Sequence, residues 1–305
     1  MRDSIFFSIV IPTYNRALFV HKAMQSVLDQ TYQNFEMIII DDGSTDNTEE
    51  MVRNLNSSKI QYYKIQNAER GHARNVGTLH SKGDYVTFLD SDDILLPDHF
   101  QHAVESINKY KRPPFLHLGY EIVNHNNKVL YKIDNLKNDD ITILIRGNTL
   151  SCAGCFLRSD VSRICLFNED RNISGSEDWE LWFRVLANYG IKADNRISTR
   201  MFNHESRSVV FSHVQEQNLV LRKELSLEYA FKDPVVQKRF GKHFLKIDAF
   251  ADSYISLHLA LVGERKRSFR YLVKFINNYP LAVFSVRFLV IIKCILVGFF
   301  KKQRV

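Results

Sequence analysis

Two short, almost uninterrupted apolar segments near the N-terminus, residues 6–11 and 35–40, limit the fold of this chain most strongly. Their length and continuity are typical of strands that are buried on both faces of a parallel sheet. Residues 18–28 lie between them and place apolar side chains at helical spacing, which predicts a crossover helix. The chain therefore begins with a strand, helix, strand unit, and we expect an α/β fold.

The same alternation continues to about residue 110. We predict further helices near residues 46–55, 70–82 and 97–110, and strands over residues 59–65 and 84–89. This order predicts a doubly wound, mostly parallel sheet flanked by helices, in which ligands bind at the carboxyl ends of the strands. Beyond residue 113 the pattern is less regular, with strands expected over residues 115–123, 129–133 and 150–157.

Three carboxylates follow the strand over residues 84–89: Asp90, Asp92 and Asp93. Carboxylates this close together repel one another unless a cation lies between them or solvent reaches them all. Mg²⁺ and Mn²⁺ prefer oxygen ligands, so the cluster is a candidate divalent-metal site. The alternative is an ordinary acidic turn, because so short a motif occurs often without a metal.

A second acidic pair, Glu177 and Asp178, starts a predicted helix whose broad apolar face begins at Trp179. The dipole of a helix favours negative charge in its first turn, so these residues could simply stabilise the helix end. A carboxylate here could also act as a general base if an acceptor hydroxyl came within hydrogen-bond reach.

Four cysteines and the absence of a secretory signal predict synthesis and residence in the reducing cytoplasm. Cys152 and Cys155 have CxxC spacing, which would suit half a zinc site or a redox pair. No second CxxC follows, and the flanking residues are apolar. We therefore interpret both as thiols of the core.

The positive charge of this chain is concentrated in its last third. The formal net charge is +7, and residues 201–305 contribute +10. Long helical patterns fill residues 211–305, and residues 281–300 are apolar apart from four positions: Ser285, Arg287, Lys293 and Gly298. The charges flank apolar runs rather than forming a polar surface, which disfavours nucleic-acid binding.

Residues 281–300 would reach about 30 Å as one helix, enough to cross a bilayer. Arg287 and Lys293 would each cost about 2.5–3.5 kcal/mol near the bilayer centre. We therefore favour a segment that lies in the interface of an anionic membrane surface with its basic side chains reaching water. A helix packed on protein and a transmembrane helix are the alternatives.

Several short motifs, considered together in their order and spacing, resemble family 2 glycosyltransferases of the GT-A fold. They are residues 8–15, 26–32, 35–36, 41–46, 73–75, 83–85 and 90–93, with Glu177-Asp178-Trp179 similar to a later acidic motif of the family. The resemblance covers about residues 5–210. It implies a catalytic domain over residues 1–210, with a nucleotide-sugar half (1–112) and an acceptor half (113–210), followed by a basic helical extension (211–305).

The resemblance implies inverting transfer of a sugar from a nucleoside diphosphate donor, with a UDP-sugar favoured, to an acceptor hydroxyl. The implied cofactor is a divalent metal, Mn²⁺ or Mg²⁺. Members of the family often build cell-surface polysaccharides on lipid carriers, so the expected acceptor is a saccharide or a lipid-linked saccharide. The expected location is the inner face of the cell membrane, with the protein bound peripherally.

The resemblance also assigns roles to individual residues. Asp178 matches the catalytic base, with Glu177 and Trp179 on the acceptor side. Asp92 matches a metal ligand, assisted by Asp90, and His204 is a further candidate ligand. The residues implied in donor binding are Pro12, Thr13, Tyr14, Asp42, Arg74, Asp90 and Ser91.

Two other functions compete with this assignment. A sugar nucleotidyltransferase would carry a glycine-rich loop with Arg and Lys after the first strand, and residues 12–15 contain none of these. A scaffold that binds a nucleotide without turnover would not need all the acidic positions, Asp42, Asp90, Asp92 and Asp178, at once.

Overall fold

Over residues 4–139, 141–203 and 215–297, which the computed structural model describes, nine strands form one mixed sheet. The strands are β1 (Phe7–Thr13), β2 (Phe35–Asp41), β3 (Ile60–Lys64), β4 (Tyr85–Phe88), β5 (Ile94–Leu95), β6 (Phe115–Val123), β7 (Val129–Ile133), β8 (Cys155–Arg158) and β9 (Lys192–Phe202). Seven α-helices accompany them: α1 (Ala17–Leu28), α2 (Thr48–Arg53), α3 (Glu69–His80), α4 (His99–Lys109), α5 (Thr142–Ile145), α6 (Ser159–Ile164) and α7 (Glu177–Tyr189).

The first four strands of the sheet are parallel, as the apolar pattern predicts. The order is β3-β2-β1-β4-β8-β6-β9-β5, and β7 pairs with β6. From β8 onward the pairing is antiparallel except between β6 and β9. The carboxyl ends of β1, β2 and β4 therefore lie at one edge of the sheet, where the acidic motifs follow.

Helices cover both faces of this parallel part. β1 and β2 are buried along their whole length. α1 packs Val20 and Met24 into the core on one face. α3 lies very close to the other face, since a Cβ added at Gly77 would be 2.3 Å from a methyl carbon of Val10. This close approach fixes the position of α3 and of the side chains that it carries toward the strand ends.

The strand predicted over residues 150–157 is wrong in its first half. Residues 152–154 form a turn, in which the backbone N–H of Gly154 donates to the Ser151 hydroxyl at 2.9 Å, and β8 begins only at Cys155. The sequence analysis also missed β9, a long strand rich in polar residues. β9 pairs with β6 through two register shifts, which blur the alternation that would have indicated it.

The C-terminal region is helical, as predicted. It contains α8 (Glu216–Phe231), α9 (Pro234–Phe240), α10 (Phe244–Leu261), α11 (Arg265–Asn278) and α12 (Val286–Val297). α8 and α9 pack on α7. Leu227 and Phe240 belong to the same buried cluster as Trp182 of α7 and Phe88 of β4. The extension therefore shares its first layer of core with the sheet.

The apolar segment over residues 281–300 does not form one helix of 20 residues. A 3-10 helix, Pro280–Phe284, is followed by α12, and Ser285 separates the two. The Ser285 hydroxyl accepts from the backbone N–H of Phe288 at 3.2 Å and donates to the Ala282 carbonyl at 2.6 Å. Among the described residues, no helix combines the length and the apolar character that crossing a bilayer requires.

Candidate active site

The loops that follow β1 and β2 are tied together at the sheet edge. The backbone N–H of Asn15 donates to the Ser44 hydroxyl, and that of Thr45 donates to the Asn15 side chain, both at 2.8 Å. Pro12 and Thr13 are buried at the end of β1, whereas Tyr14 is exposed beside them. Within the described residues the buried Thr13 hydroxyl makes no hydrogen bond. These loops therefore lie side by side at the carboxyl ends of β1 and β2.

Asp42 organises the start of α3. Its carboxylate accepts hydrogen bonds from the backbone N–H groups of Ala68 at 2.7 Å and Glu69 at 3.0 Å, and from the Asn67 side chain at 3.0 Å. Burial raises the pKa of Asp42, although these hydrogen bonds oppose the shift. The neighbouring Asp41 instead stabilises the turn, since it accepts from the backbone N–H of Ser44 and from the Tyr62 hydroxyl.

The acidic cluster after β4 converges as expected of a cation site. Asp90, Asp92 and Asp93 each place one carboxylate oxygen within 4.8 Å of the others. Asp93 is buried and also accepts from the backbone N–H of Phe202 at 3.0 Å, which holds the end of β9 against the cluster. Ser91 is buried between them.

Arg74 of α3 is the centre of the charge network. Its side chain is buried, and its guanidinium donates to Asp90 Oδ1 at 2.6 Å and to Glu177 Oε1 at 2.7 Å. The sequence analysis predicted Arg74 as a donor contact. The structure adds a bridging position, because Arg74 joins the acidic cluster to the first turn of α7, which begins about 100 residues later in the chain.

Glu177 and Asp178 have opposite electrostatic environments. The charges of Arg70 and Arg74 lower the pKa of Glu177 even though burial acts to raise it. Asp178 contacts no arginine among the described residues: its carboxylate accepts from the Asn148 side chain and from the backbone N–H of Trp179, each at 2.8 Å. Burial, and then the negative charge of Glu177, raise the pKa of Asp178 to about 7.

The two thiols of the CxxC motif lie beneath this network and serve the core. Cys152 and Cys155 are buried and free. Burial raises the pKa of both thiols, so they stay protonated at neutral pH and are poor metal ligands. The interpretation of these residues as core thiols is confirmed.

Of the two remaining predicted residues, Trp179 and His204, only Trp179 lies among the described residues. Trp179 is buried and packs its ring 5.3 Å from that of Phe183, so most of its surface faces the core. His204, the further candidate metal ligand, lies outside the described residues.

Two residues that contact predicted site residues escaped the sequence analysis. Asn148 holds Asp178, and Arg16 lies 3.6 Å from Asp92. Neither carries a local signal, because isolated Asn and Arg residues in polar loops are common.

Comparison with known proteins identifies the family. Residues 8–154 match the family described as Glycosyl transferase family 2. A protein of Rickettsia felis named as an uncharacterized glycosyltransferase is 31% identical over 224 residues, which are 70% of this chain and 37% of that protein. The family match and this relative support a family 2 glycosyltransferase.

A relative with a more specific name is the Escherichia coli UDP-Glc:alpha-D-GlcNAc-diphosphoundecaprenol beta-1,3-glucosyltransferase WfgD. It is 29% identical over 194 residues, which are 63% of this chain and 74% of that protein. The matching segment spans only 37% of the Rickettsia felis relative and 61% of a Rickettsia typhi relative.

Solved structures confirm the fold of this chain. TarS 1–349 of S. aureus, in complex with UDP-GlcNAc, superposes with a TM-score of 0.61 at 19% identity, covering 93% of this chain and 92% of TarS 1–349. The mannosyltransferase PcManGT of Pyrobaculum calidifontis, in complex with GDP-Man and Mn²⁺, gives a TM-score of 0.59 at 13% identity. The match covers 99% of this chain and 89% of PcManGT. The predicted GT-A fold, with its helical C-terminal region, is therefore correct.

Proposed function

We propose that this protein transfers a sugar, with inversion, from a nucleoside diphosphate donor to a hydroxyl of a lipid-linked saccharide. The observation that carries the proposal is the buried bridge from Asp90 through Arg74 to Glu177, which brings the acidic cluster next to Asp178. A displacement with inversion needs charge stabilisation at the leaving diphosphate and a base on the opposite side. The acidic cluster after β4 is suited to the first task and Asp178 to the second.

The names of the relatives support the same chemistry. TarS 1–349 was solved with UDP-GlcNAc and PcManGT with GDP-Man and Mn²⁺. WfgD is named for a UDP-Glc donor and a diphosphoundecaprenol-linked acceptor. On this basis we assign a UDP-sugar donor, a divalent metal and a lipid-linked acceptor to this chain.

The acidic cluster fits Mn²⁺ or Mg²⁺, because its three described members all offer carboxylate oxygens, the ligands that these ions prefer. We assign Asp92 as a direct ligand, with Asp90 beside it contacting the ribose or the waters of the metal, and Asp93 in support. When bound, the metal would neutralise charge on the diphosphate leaving group. Arg74 keeps Asp90 in place.

The base of the donor belongs between the loops after β1 and β2. Tyr14 is exposed and offers an aromatic face for stacking, and Asp42 lies at the neighbouring strand end with Pro12 and Thr13. Asp42 Oδ2 already accepts from Glu69 and Asn67, whereas Oδ1 accepts from Ala68 and has a second acceptor position for the donor's base.

Asp178 is assigned as the base that accepts the proton of the acceptor hydroxyl. A pKa near 7 suits this task, because a base is most effective when its pKa lies near the working pH. Asn148 and the N–H of Trp179 fix the direction of the carboxylate.

We also propose that the C-terminal helices bind the anionic lipid surface on the inner face of the cell membrane. Large apolar side chains are exposed along the last described segment: Leu281, Phe284, Val286, Leu289, Val290, Leu296 and Val297. The opposite side of this segment is buried against α10 and α11 through Ile291 and Cys294. A helix with apolar side chains on both its buried and its exposed side is better accommodated in the membrane interface than in water.

The decisive experiment measures release of UDP from a panel of UDP-sugars with Mn²⁺, with and without membrane lipid extract as acceptor. We expect release that requires both the metal and Asp92, and that the Asp92→Ala variant lacks. Asp160→Ala, an exposed aspartate at the start of α6, is the matched control and should behave as wild type. Binding of UDP without any turnover across the panel would favour the scaffold alternative.

A further inference from the structure

α10 packs on both α8 and α12, and α8 packs on α7, the helix of the predicted base. Arg222 of α8, Tyr254 of α10 and Arg287 of α12 form a cationic and aromatic wall on these helices. Tyr254 of α10 is the centre of this wall, because the charges of Arg222, Arg287 and Asp178 all act on its hydroxyl. Tyr131 of β7 is the fourth neighbour of that hydroxyl. The Tyr254 side chain keeps 38% of its surface exposed, so its hydroxyl is open to a ligand.

Arg222 of α8 covers the loop that leads into α7. Its guanidinium lies over Gly175, where an added Cβ would be 3.3 Å from Nη1. Gly175 has a φ of +97° and precedes Asp178 by three residues. Arg222 is thereby placed at the entrance to the base and outside the core.

Arg287 of α12 is a half-buried cation. Burial lowers the pKa of its guanidinium, and the charged or titratable groups that act on it are the hydroxyls of Tyr254 and Tyr131. Over residues 4–139, 141–203 and 215–297, neither Arg222 nor Arg287 has a carboxylate within 4.0 Å. Arg74, in contrast, is buried between two carboxylates.

Two half-buried cations that have no carboxylate partner among the described residues are unfavourable until an anion joins them. Guanidinium groups bind phosphate through paired N–H donors, and a tyrosine hydroxyl can add a further donor. The arrangement therefore has the chemistry of a phosphate-binding site, next to the residue assigned as the base.

The position of the wall assigns the anion to the acceptor. The residues assigned to the donor and its metal come from positions 12–92, whereas the wall comes from β7, α8, α10 and α12. In a displacement with inversion, the base is on the side opposite the leaving diphosphate. Near Arg287, the same segment exposes Phe284, Val286 and Leu289, so an anionic group bound here would lie close to an apolar surface.

We propose that Arg222, Arg287 and Tyr254 bind the diphosphate of a lipid-linked acceptor and so present its saccharide to Asp178. This inference rests on the proposed glycosyl transfer and names the part of the acceptor that the protein recognises. The C-terminal helices are then part of the acceptor site as well as a membrane support.

The test uses farnesyl diphosphate as the probe, titrated by calorimetry into the full chain with UDP and Mn²⁺ present to occupy the donor site. We expect the Kd to rise roughly 10- to 100-fold in Arg287→Met and in Arg222→Met, since each removes a charged hydrogen-bond donor. Arg287→Lys keeps the charge and should recover part of the affinity. Arg53→Met, an exposed arginine of α2, is the matched control and should bind as wild type.

Equal affinity for farnesyl diphosphate in all variants, or no binding to wild type, would overturn the inference. Farnesol should bind weakly and independently of the arginines, and equally tight binding of farnesol would remove the diphosphate from the proposal. Inorganic pyrophosphate that binds as tightly as farnesyl diphosphate would assign the site to a soluble phosphate compound and would contradict the lipid-linked acceptor.

Titration of UDP with Mn²⁺ into the same variants separates this inference from the proposed function. Unchanged UDP affinity in Arg287→Met, together with lost farnesyl diphosphate affinity, supports the acceptor site. Loss of UDP affinity in that variant would place the arginines in the donor site and overturn the inference. Failure of wild type to release UDP from any UDP-sugar would count against the transferase assignment alone.

Discussion

At the scale of single residues, the two acidic residues that start α7 differ in the charge that their carboxyl groups carry near neutral pH. Glu177 is paired with Arg74 and Arg70, whereas the carboxylate of Asp178 has only neutral partners among the described residues. The first arrangement keeps a negative charge in place, and the second makes a carboxyl group that gains and loses a proton near neutral pH.

Replacement of Asp178 by Asn should reduce kcat by about 10²- to 10⁴-fold, because the amide cannot accept the acceptor's proton. The change is nearly isosteric, and Asn148 can still bond the side-chain oxygen, so the Kd for UDP with Mn²⁺ should stay at the wild-type value. Steady-state kinetics and calorimetry measure the two quantities. Asp160→Asn, also in a first helical turn, is the control, and full activity in Asp178→Asn would remove it as the base.

The same carboxyl should make stability depend on pH. The pKa of Asp178 is raised to about 7 from 3.8, so between these values the folded state holds a proton that the unfolded state has released. Its contribution to the free energy of unfolding therefore falls as pH rises from about 4 to 7 and is lost above 7. The Tm of Asp178→Asn minus the Tm of wild type should be larger at pH 8 than at pH 5. The same difference at both pH values would contradict the raised pKa of Asp178.

Arg74→Met should destabilise the protein by about 3–5 kcal/mol, because it leaves the buried Glu177 without its closest cation. Denaturant unfolding measures the change. The double variant Arg74→Met/Glu177→Gln removes the orphaned charge and should be more stable than Arg74→Met alone. Equal stability of the two variants would show that the bridge contributes little.

At the scale of elements, the sequence predicted most of the first 110 residues because β1, β2 and β4 are buried on both faces. Such strands are continuous apolar runs, and the helices between them keep one apolar face. Prediction failed where a hydrogen bond to a serine side chain determines the backbone conformation. This is so at the turn that Ser151 stabilises before β8 and at Ser285 before α12. β9 was missed because its polar residues pair along β6 with shifted register.

The site was predictable to the extent that its residues follow strands. Asp42, Asp90 and Asp92 come at the carboxyl ends of β2 and β4, and a parallel sheet brings such ends to one edge. The pairing of Arg74 with Glu177 depends on the angle of α3, which the contact of Gly77 with Val10 fixes and which no spacing in the sequence reveals.

The segment that precedes and includes α12 should govern membrane binding. Phe284→Asp/Leu289→Asp places two charges on exposed apolar positions, 84% and 60% exposed, so the fold should be unaffected. Each lost apolar side chain removes about 1.5–3 kcal/mol of burial in the lipid, so binding to phosphatidylglycerol vesicles should fall at least tenfold.

Flotation with vesicles measures the bound fraction. The control is Ile164→Asp, which changes an equally exposed apolar residue at the end of α6. Vesicle binding that is the same in the double variant and in the control would contradict the interfacial assignment.

At the scale of the whole molecule, the extension and the sheet should unfold together. Phe240 of α9 is buried and packs its ring 5.0 Å from that of Phe183 on α7, the helix that carries Asp178. Phe240→Ala should cost about 3–5 kcal/mol and shift a single calorimetric transition to lower temperature. Two separate transitions, with only one shifted, would show that the predicted domains over residues 1–210 and 211–305 unfold independently.

The shared core also has a consequence for the synthesis of this protein. Ribosomes add about 5–20 residues per second, so the roughly 40 residues from the end of β9 to the end of α9 take on the order of 2 to 8 s to appear. During that interval the face of α7 that carries Phe183 lacks its cover from α8 and α9. The nascent chain therefore presents an apolar surface beside an almost finished sheet, the kind of surface to which chaperones bind.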